Sequence, residues 1–235
     1  MMNTSWTIQN FTANGFPIQL YDCNLSKAPI IYMLAHQIDP TLLSLLQEKP
    51  LSPFSLACIE ISESQWNTLL APWDTPKNFP KYLRCQGGAK DFLKTLIENI
   101  VPQIQAHLSH PCGLQTIAGY SLAGLFSVFA MCQWDQVAGV CAVSGSFWYP
   151  DFQAWFLEHI PTHLPRCVYF STSEKEWDSK NSRLSSLKFT LETMEKSLAQ
   201  KGVKTICQIN SGNHFQNATL RLATGIEWML NHLED

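Results

Sequence analysis

The 235-residue sequence predicts an α/β architecture: a mostly parallel central sheet with an N-terminal antiparallel hairpin and helices on both faces. Three observations predict it. Short, largely apolar runs at residues 28–35, 54–61, 115–118, 136–143, 166–171 and 205–209 read as strands, the first two buried on both faces. Helical patterns lie between them, and strands alternating with helices mark a parallel sheet. Residues 6–11 and 17–21 instead alternate apolar with polar around Asn14-Gly15, which is a hairpin signature. The length suits one domain, expected to span 1–235.

Each remaining element follows in order. Residues 41–47 form the first expected helix, between the first two buried strands. The stretch 62–85 carries Trp66, Pro72, Trp73, Pro76 and Pro80 and reads as an ordered loop of the kind that lines sites at strand ends. After Gly87-Gly88, the apolar residues Phe92, Leu93, Leu96, Ile97, Ile100, Ile104 and Leu108 recur at helical spacing. Further helices are expected over 122–132, 150–159, 181–201 and 216–233.

Composition narrows the function classes. Hydrophobic residues make up 46% and charged residues 15%, enough to build a sizeable core without staples. The net charge of −3 and the absence of a basic run point away from nucleic acid and anionic membranes as partners. The eight cysteines are evenly spread, none in a C-x-x-C pair, and several sit in apolar strand or helix patterns as small hydrophobes. No metal site or other cofactor is expected from their spacing. With no signal-peptide pattern and no membrane-length apolar run, the expectation is a cytoplasmic protein with free thiols. Nothing in the sequence fixes an oligomeric state.

The chemistry-bearing stretch is Thr116-Ile-Ala-Gly-Tyr-Ser-Leu-Ala-Gly124. A strand pattern runs into a small-x-Ser-x-small turn and then at once into a helix, the form of a nucleophile elbow with Ser121 at its apex. Ala123 stands where the pattern has glycine, with Gly124 next. A serine hydroxyl needs a base, and the elbow scaffold orders its groups as serine, acid, histidine. Four histidines follow Ser121. Of these, His214 lies in Ser211-Gly-Asn-His-Phe215, between the last strand and the last helix, where the base belongs. The acid is expected after strand 166–171, where Glu174, Glu176 and Asp178 are all available. The backbone N–H of Leu122 would serve an oxyanion hole, with a second donor from the 35–37 loop, His36 being the choice. Tyr120, Trp66 and Trp148 are candidate substrate-pocket residues, with Trp73, Phe147 and Trp177 as further aromatics at strand-end loops.

These motifs resemble the esterase D-type branch of the α/β-hydrolases, which includes putative esterases and enterobactin-type siderophore esterases. The resemblance rests on Ile117-Ala-Gly-Tyr-Ser-Leu-Ala-Gly-Leu-Phe126, Val140-Cys-Ala-Val-Ser-Gly-Ser-Phe-Trp-Tyr149, Ser173-Glu-Lys-Glu176 and Gly212-Asn-His-Phe215. Lys201-Gly-Val203 and Gly225-Ile-Glu-Trp228 also fit, as do Trp66-Asn67 and Pro72-Trp73 more weakly. Departures are Tyr120 for the usual histidine, Ala123 for glycine, Ser173 for the glycine before the acid, and Leu-Ala-His in place of Leu-Asp-Gly after the early strand. The resemblance implies an α/β-hydrolase fold and a serine hydrolase acting on a small-molecule ester, and it puts Glu176 first among the acids. Thioesterase, acyltransferase or peptidase chemistry on the same scaffold, or a catalytically silent binding protein, are the alternatives.

Overall fold

Eight strands form one sheet within residues 5–177 and 185–233, the residues that the computed structural model describes (of Tyr82, only the backbone). They are β1 (Thr7–Ala13), β2 (Phe16–Asp22), β3 (Ile30–Ala35), β4 (Ser55–Glu60), β5 (Gln115–Tyr120), β6 (Val137–Val143), β7 (Cys167–Ser173) and β8 (Lys204–Asn210). The spatial order is β1-β2-β4-β3-β5-β6-β7-β8. β1 and β2 are the expected hairpin, turned at Asn14 (φ 48°) and Gly15 (φ 86°), the pair of positive angles a two-residue hairpin loop demands. β2 also pairs antiparallel with β4, and every later pairing is parallel.

The helices are α1 (Pro40–Gln47), α2 (Glu63–Leu69), α3 (Ala89–Thr95), α4 (Val101–His107), α5 (Leu122–Met131), α6 (Phe152–Glu158), α7 (Glu174–Trp177), α8 (Leu187–Ala199) and α9 (Ala218–Asn231). They cover both sheet faces, and strand periodicity shows how. Tyr32, Ile117, Val140, Ala142, Val168 and Phe170 point into a core shared with α3–α6 and α8. Their neighbours Ile31, Met33, Ala118, Cys141, Val143 and Tyr169 point the other way, into a core shared with α1 and α9. A strand with apolar side chains on both sides must be covered twice, which is why these segments read as continuous apolar runs.

Two expectations need correction. The stretch 62–85 is not all loop, because α2 occupies Glu63–Leu69 and a 3₁₀ turn occupies Lys81–Leu83. Trp66, Leu69 and Leu70 recur at helical spacing, and all three turn toward the core. The single helix expected from residue 92 onward is α3 and α4 joined by a π turn, Leu96–Ile100. Pro102 follows it, with no N–H to bond the carbonyl of Glu98. The helix expected over 181–201 is α8 where described, and residues 181–184 lie outside the described residues.

Candidate active site

Because β3, β5, β6, β7 and β8 run parallel, the segments that follow them emerge along one edge of the sheet. Ser121 follows β5, Ser144 follows β6, Glu176 follows β7, His214 follows β8 and His36 follows β3.

Ser121 is held in a strained conformation, φ 59° and ψ −121°, which a residue with a side chain rarely adopts. Its N–H donates to Val143 O (3.0 Å), and its carbonyl accepts from Leu125 N (3.1 Å) and Ser146 N (3.0 Å). The turn is tight enough that a Cβ on Gly119 would lie 2.4 Å from the carbonyl carbon and oxygen of Ala123. The glycine needed for close approach is therefore Gly119, and the methyl of Ala123 fits, fully buried. α5 begins directly behind Ser121 and all ten of its residues are buried, so the elbow is anchored in the core.

His214 stands between Ser121 and Glu176. Its Nε2 lies 3.0 Å from Ser121 Oγ and its Nδ1 lies 3.0 Å from Glu176 Oε2. A carboxylate only accepts, so Nδ1 carries the proton and Nε2 is left to accept from the serine hydroxyl. Such an imidazole can take the hydroxyl proton as the oxygen attacks, and the carboxylate stabilises the imidazolium that forms.

The Glu176 side chain is 8% exposed. Its Oε1 accepts from Ser144 Oγ (2.8 Å), Ser173 N (3.0 Å), Ser173 Oγ (2.6 Å) and Arg221 Nη2 (3.2 Å). Burial pushes its carboxyl up, but hydrogen bonds from His214, Ser173 and Ser144 outweigh that and hold it below the usual carboxylate range. Tyr120 donates its hydroxyl to the carbonyl of His214 at 2.5 Å, and its ring lies edge-on to the imidazole. Burial pushes the Tyr120 phenol up, so the hydroxyl stays a donor at neutral pH.

The other expected residues are placed as follows. Leu122 opens α5, so its N–H belongs to the first turn, whose amides have no partner within the helix. His36 is exposed, lies tilted against Trp66 with ring centroids 4.1 Å apart, and has Nδ1 2.9 Å from Ile61 O. Trp148 is half-buried and stacks on Phe79. Phe147 is buried against Phe152 and Phe170, which makes it core rather than pocket lining, and Trp73 packs among Tyr149, Phe152 and Trp155. Glu174 is exposed, and Asp178 lies outside the described residues. No group of three His, Cys, Asp or Glu side chains among the described residues is arranged to hold a metal ion.

Sequence reasoning missed Arg221, Ser144 and the hydroxyl of Ser173. Arg221 had a legible signal. It shares a four-residue spacing with Gly225 and Met229 on the buried side of α9, and a lone arginine on an apolar stripe needs an anion nearby.

No protein-family model and no curated protein sequence matches the chain. Solved structures do resemble it. The siderophore hydrolase EstA from Aspergillus nidulans aligns with a TM-score of 0.76 at 15% identity, over 97% of this chain and 94% of that one. An IroE-like serine hydrolase from Shewanella oneidensis aligns at 0.78 and 17%, over 96% and 80%. An S-formylglutathione hydrolase from Agrobacterium tumefaciens aligns at 0.60 and 10%, over 96% and 94%. At these identities the likeness is one of fold. With the strand order and connections above, it makes this chain an α/β-hydrolase in architecture.

Proposed function

We propose that the protein is a serine hydrolase that cleaves a small-molecule carboxylic ester through an acyl-enzyme on Ser121. The observation that carries this reading is the aligned Ser121–His214–Glu176 series, with 3.0 Å at each step. Ser121 Oγ attacks the acyl carbonyl while His214 Nε2 takes its proton, and Glu176 holds the imidazole in the required tautomer. His214 returns the proton to the departing alcohol. It then activates water, which releases the acid and restores Ser121. The N–H groups of Leu122 and His36 are the proposed oxyanion donors, each such donor being worth about 3–4 kcal/mol at the transition state. Tyr120, Trp66 and Trp148 are proposed to flank the substrate, with Tyr120 also holding the loop that bears His214.

No step in this scheme calls for a cofactor. A cytoplasmic setting is proposed on the eight cysteines, none of which is joined to another in a disulfide, and no helix among the described residues is long and apolar enough to cross a membrane. A silent binding protein would have no need of a strained serine backed by an oriented imidazole.

The test is hydrolysis of p-nitrophenyl acetate and butyrate by wild type and Ser121→Ala. The variant should lose activity with little change in Tm, and full retained activity would overturn the assignment. A parallel panel of thioesters, peptides and siderophore lactones separates the chemistries one scaffold can host. The lactones are included because similar solved structures are named as siderophore hydrolases.

A further inference from the structure

Arg221 is the fourth residue of α9 and is 3% exposed. Its guanidinium reaches the ends of β6 and β7 and the loop after β8. Nη2 donates to Glu176 Oε1 (3.2 Å) and to Ser144 Oγ, at the end of β6. Nη1 donates to Ser173 Oγ (3.2 Å), at the end of β7, and to the carbonyl of Asn213 (3.3 Å), the residue before His214. The two serine hydroxyls accept from Arg221 and donate to Glu176 Oε1, so each relays the cation to the same carboxylate oxygen. The Tyr120 ring covers the guanidinium, with its centroid 5.6 Å from Cζ. Directly or through the two hydroxyls, the guanidinium reaches the carboxylate at Oε1, and Oε2 is left for His214.

From this geometry we infer that Arg221 is a positioning residue: it keeps Glu176 ionised and turned so that Oε2 faces His214, and it fixes the loop that carries the imidazole. The inference rests on the serine-hydrolase reading. Among the described residues, the titratable and charged groups facing Glu176 are His214 from the β8–α9 loop, Arg221 from α9 and Tyr120 from β5. Its own turn adds Glu174 and Lys175, both exposed. Arg221 is thus the permanent positive charge in contact with the acid–base pair. Removing it raises the proton affinity of the pair, whichever member takes the proton, because the field it leaves is more negative.

The experiment is the rate of Ser121 labelling by a fluorophosphonate probe between about pH 5 and 9, read as a pH profile. The proteins are wild type, R221Q, R221K, E176Q and E176Q/R221Q, each checked for folding by circular dichroism. The expected result is an acid limb for R221Q shifted upward by about one pH unit or more, with labelling at neutral pH slowed about tenfold or more. R221K keeps the charge and loses the fork, so its limb returns toward wild type while its rate recovers only in part. In the E176Q background, R221Q has a smaller effect, because only its hold on the Asn213 carbonyl remains to be lost.

An R221Q limb matching wild type overturns the inference, as does an equal loss from R221Q in both backgrounds. If R221Q alone fails to fold, R221K decides: a labelling rate and limb both equal to wild type overturn the inference, and a slowed rate with a limb close to wild type supports it. A wild-type protein that is not labelled overturns the serine-hydrolase reading, and this inference with it. A labelled wild type with an insensitive R221Q removes this inference alone.

Discussion

Replacing Glu176 with Gln changes one oxygen into an NH2 group, and the surroundings decide which one. Four donors converge on Oε1: the hydroxyls of Ser144 and Ser173, the amide of Ser173 and the guanidinium of Arg221. An NH2 cannot occupy that position without donor facing donor, so the amide oxygen takes it and the NH2 turns to His214 Nδ1. Nδ1 must then accept. The imidazole proton moves to Nε2, and Nε2 loses the lone pair that would take the Ser121 proton. An amide in place of the acid in the same constellation elsewhere lowers kcat by about 10⁴, equivalent to about 5.5 kcal/mol of transition-state stabilisation. A loss of that order is expected in the steady-state hydrolysis of p-nitrophenyl butyrate at neutral pH. Glu174→Gln and Asp178→Asn serve as controls and should leave kcat unchanged, because Nδ1 has its partner in Glu176. An E176Q kcat within about tenfold of wild type would refute the tautomer argument.

The same carboxylate links stability to acid. Its folded-state pKa lies below its ordinary value of 4.5, so its contribution is complete above that value and is lost as the pH falls through the folded pKa. In thermal melts between about pH 5 and 3, wild type should therefore lose Tm more steeply than E176Q, and parallel slopes would contradict the linkage.

Two further outcomes follow from the elbow and the core. Ser121→Gly should be more stable than Ser121→Ala by about 1–2 kcal/mol in urea titrations, since φ 59° with ψ −121° strains any side chain and glycine adopts it freely. Equal midpoints would show that the turn stores no strain. Burial pushes Cys58, Cys132 and Cys207 up to about 12 and Cys85 up to about 11, so native protein at mild pH should react slowly with Ellman's reagent at these sites. In denaturant all eight thiols should titrate at once, and prompt reaction of the native protein at Cys58 or Cys132 would contradict their placement.

Much of this protein is legible in its sequence, for local reasons. Continuous apolar runs such as the one ending in β3 need covering on both faces, and that alone implies helices above and below a parallel sheet. The Asn14-Gly15 turn fixes a hairpin by backbone angle, which is a property of two residues. Ser121 and His214 can be singled out as candidates because a tight strand–turn–helix and a Gly-Asn turn leave marks in adjacent residues. The helix α2 is hidden because its apolar positions, Trp66 and Leu69, lie within a tryptophan- and proline-rich stretch whose composition reads as loop.

What tertiary structure decided is everything that depends on which strand ends meet. Sequence offered three carboxylates after β7, and resemblance preferred one. Only the packing of α7 against β7 and α8 sets Glu176 beside Nδ1 of His214 while Glu174 faces solvent. Arg221 is seven residues past His214, yet it joins β6, β7 and the histidine loop because α9 lies across that edge of the sheet. Ser144 and Ser173 become ligands of a carboxylate for the same reason. A hydrogen bond between residues far apart in the chain leaves no periodicity to read, whereas a turn or an amphipathic stripe is written in consecutive residues. The sequence by itself determined the sheet, its helical covering and the turn that raises Ser121. The three-dimensional arrangement decided which charges face each other around the imidazole, because that is a matter of distance through space.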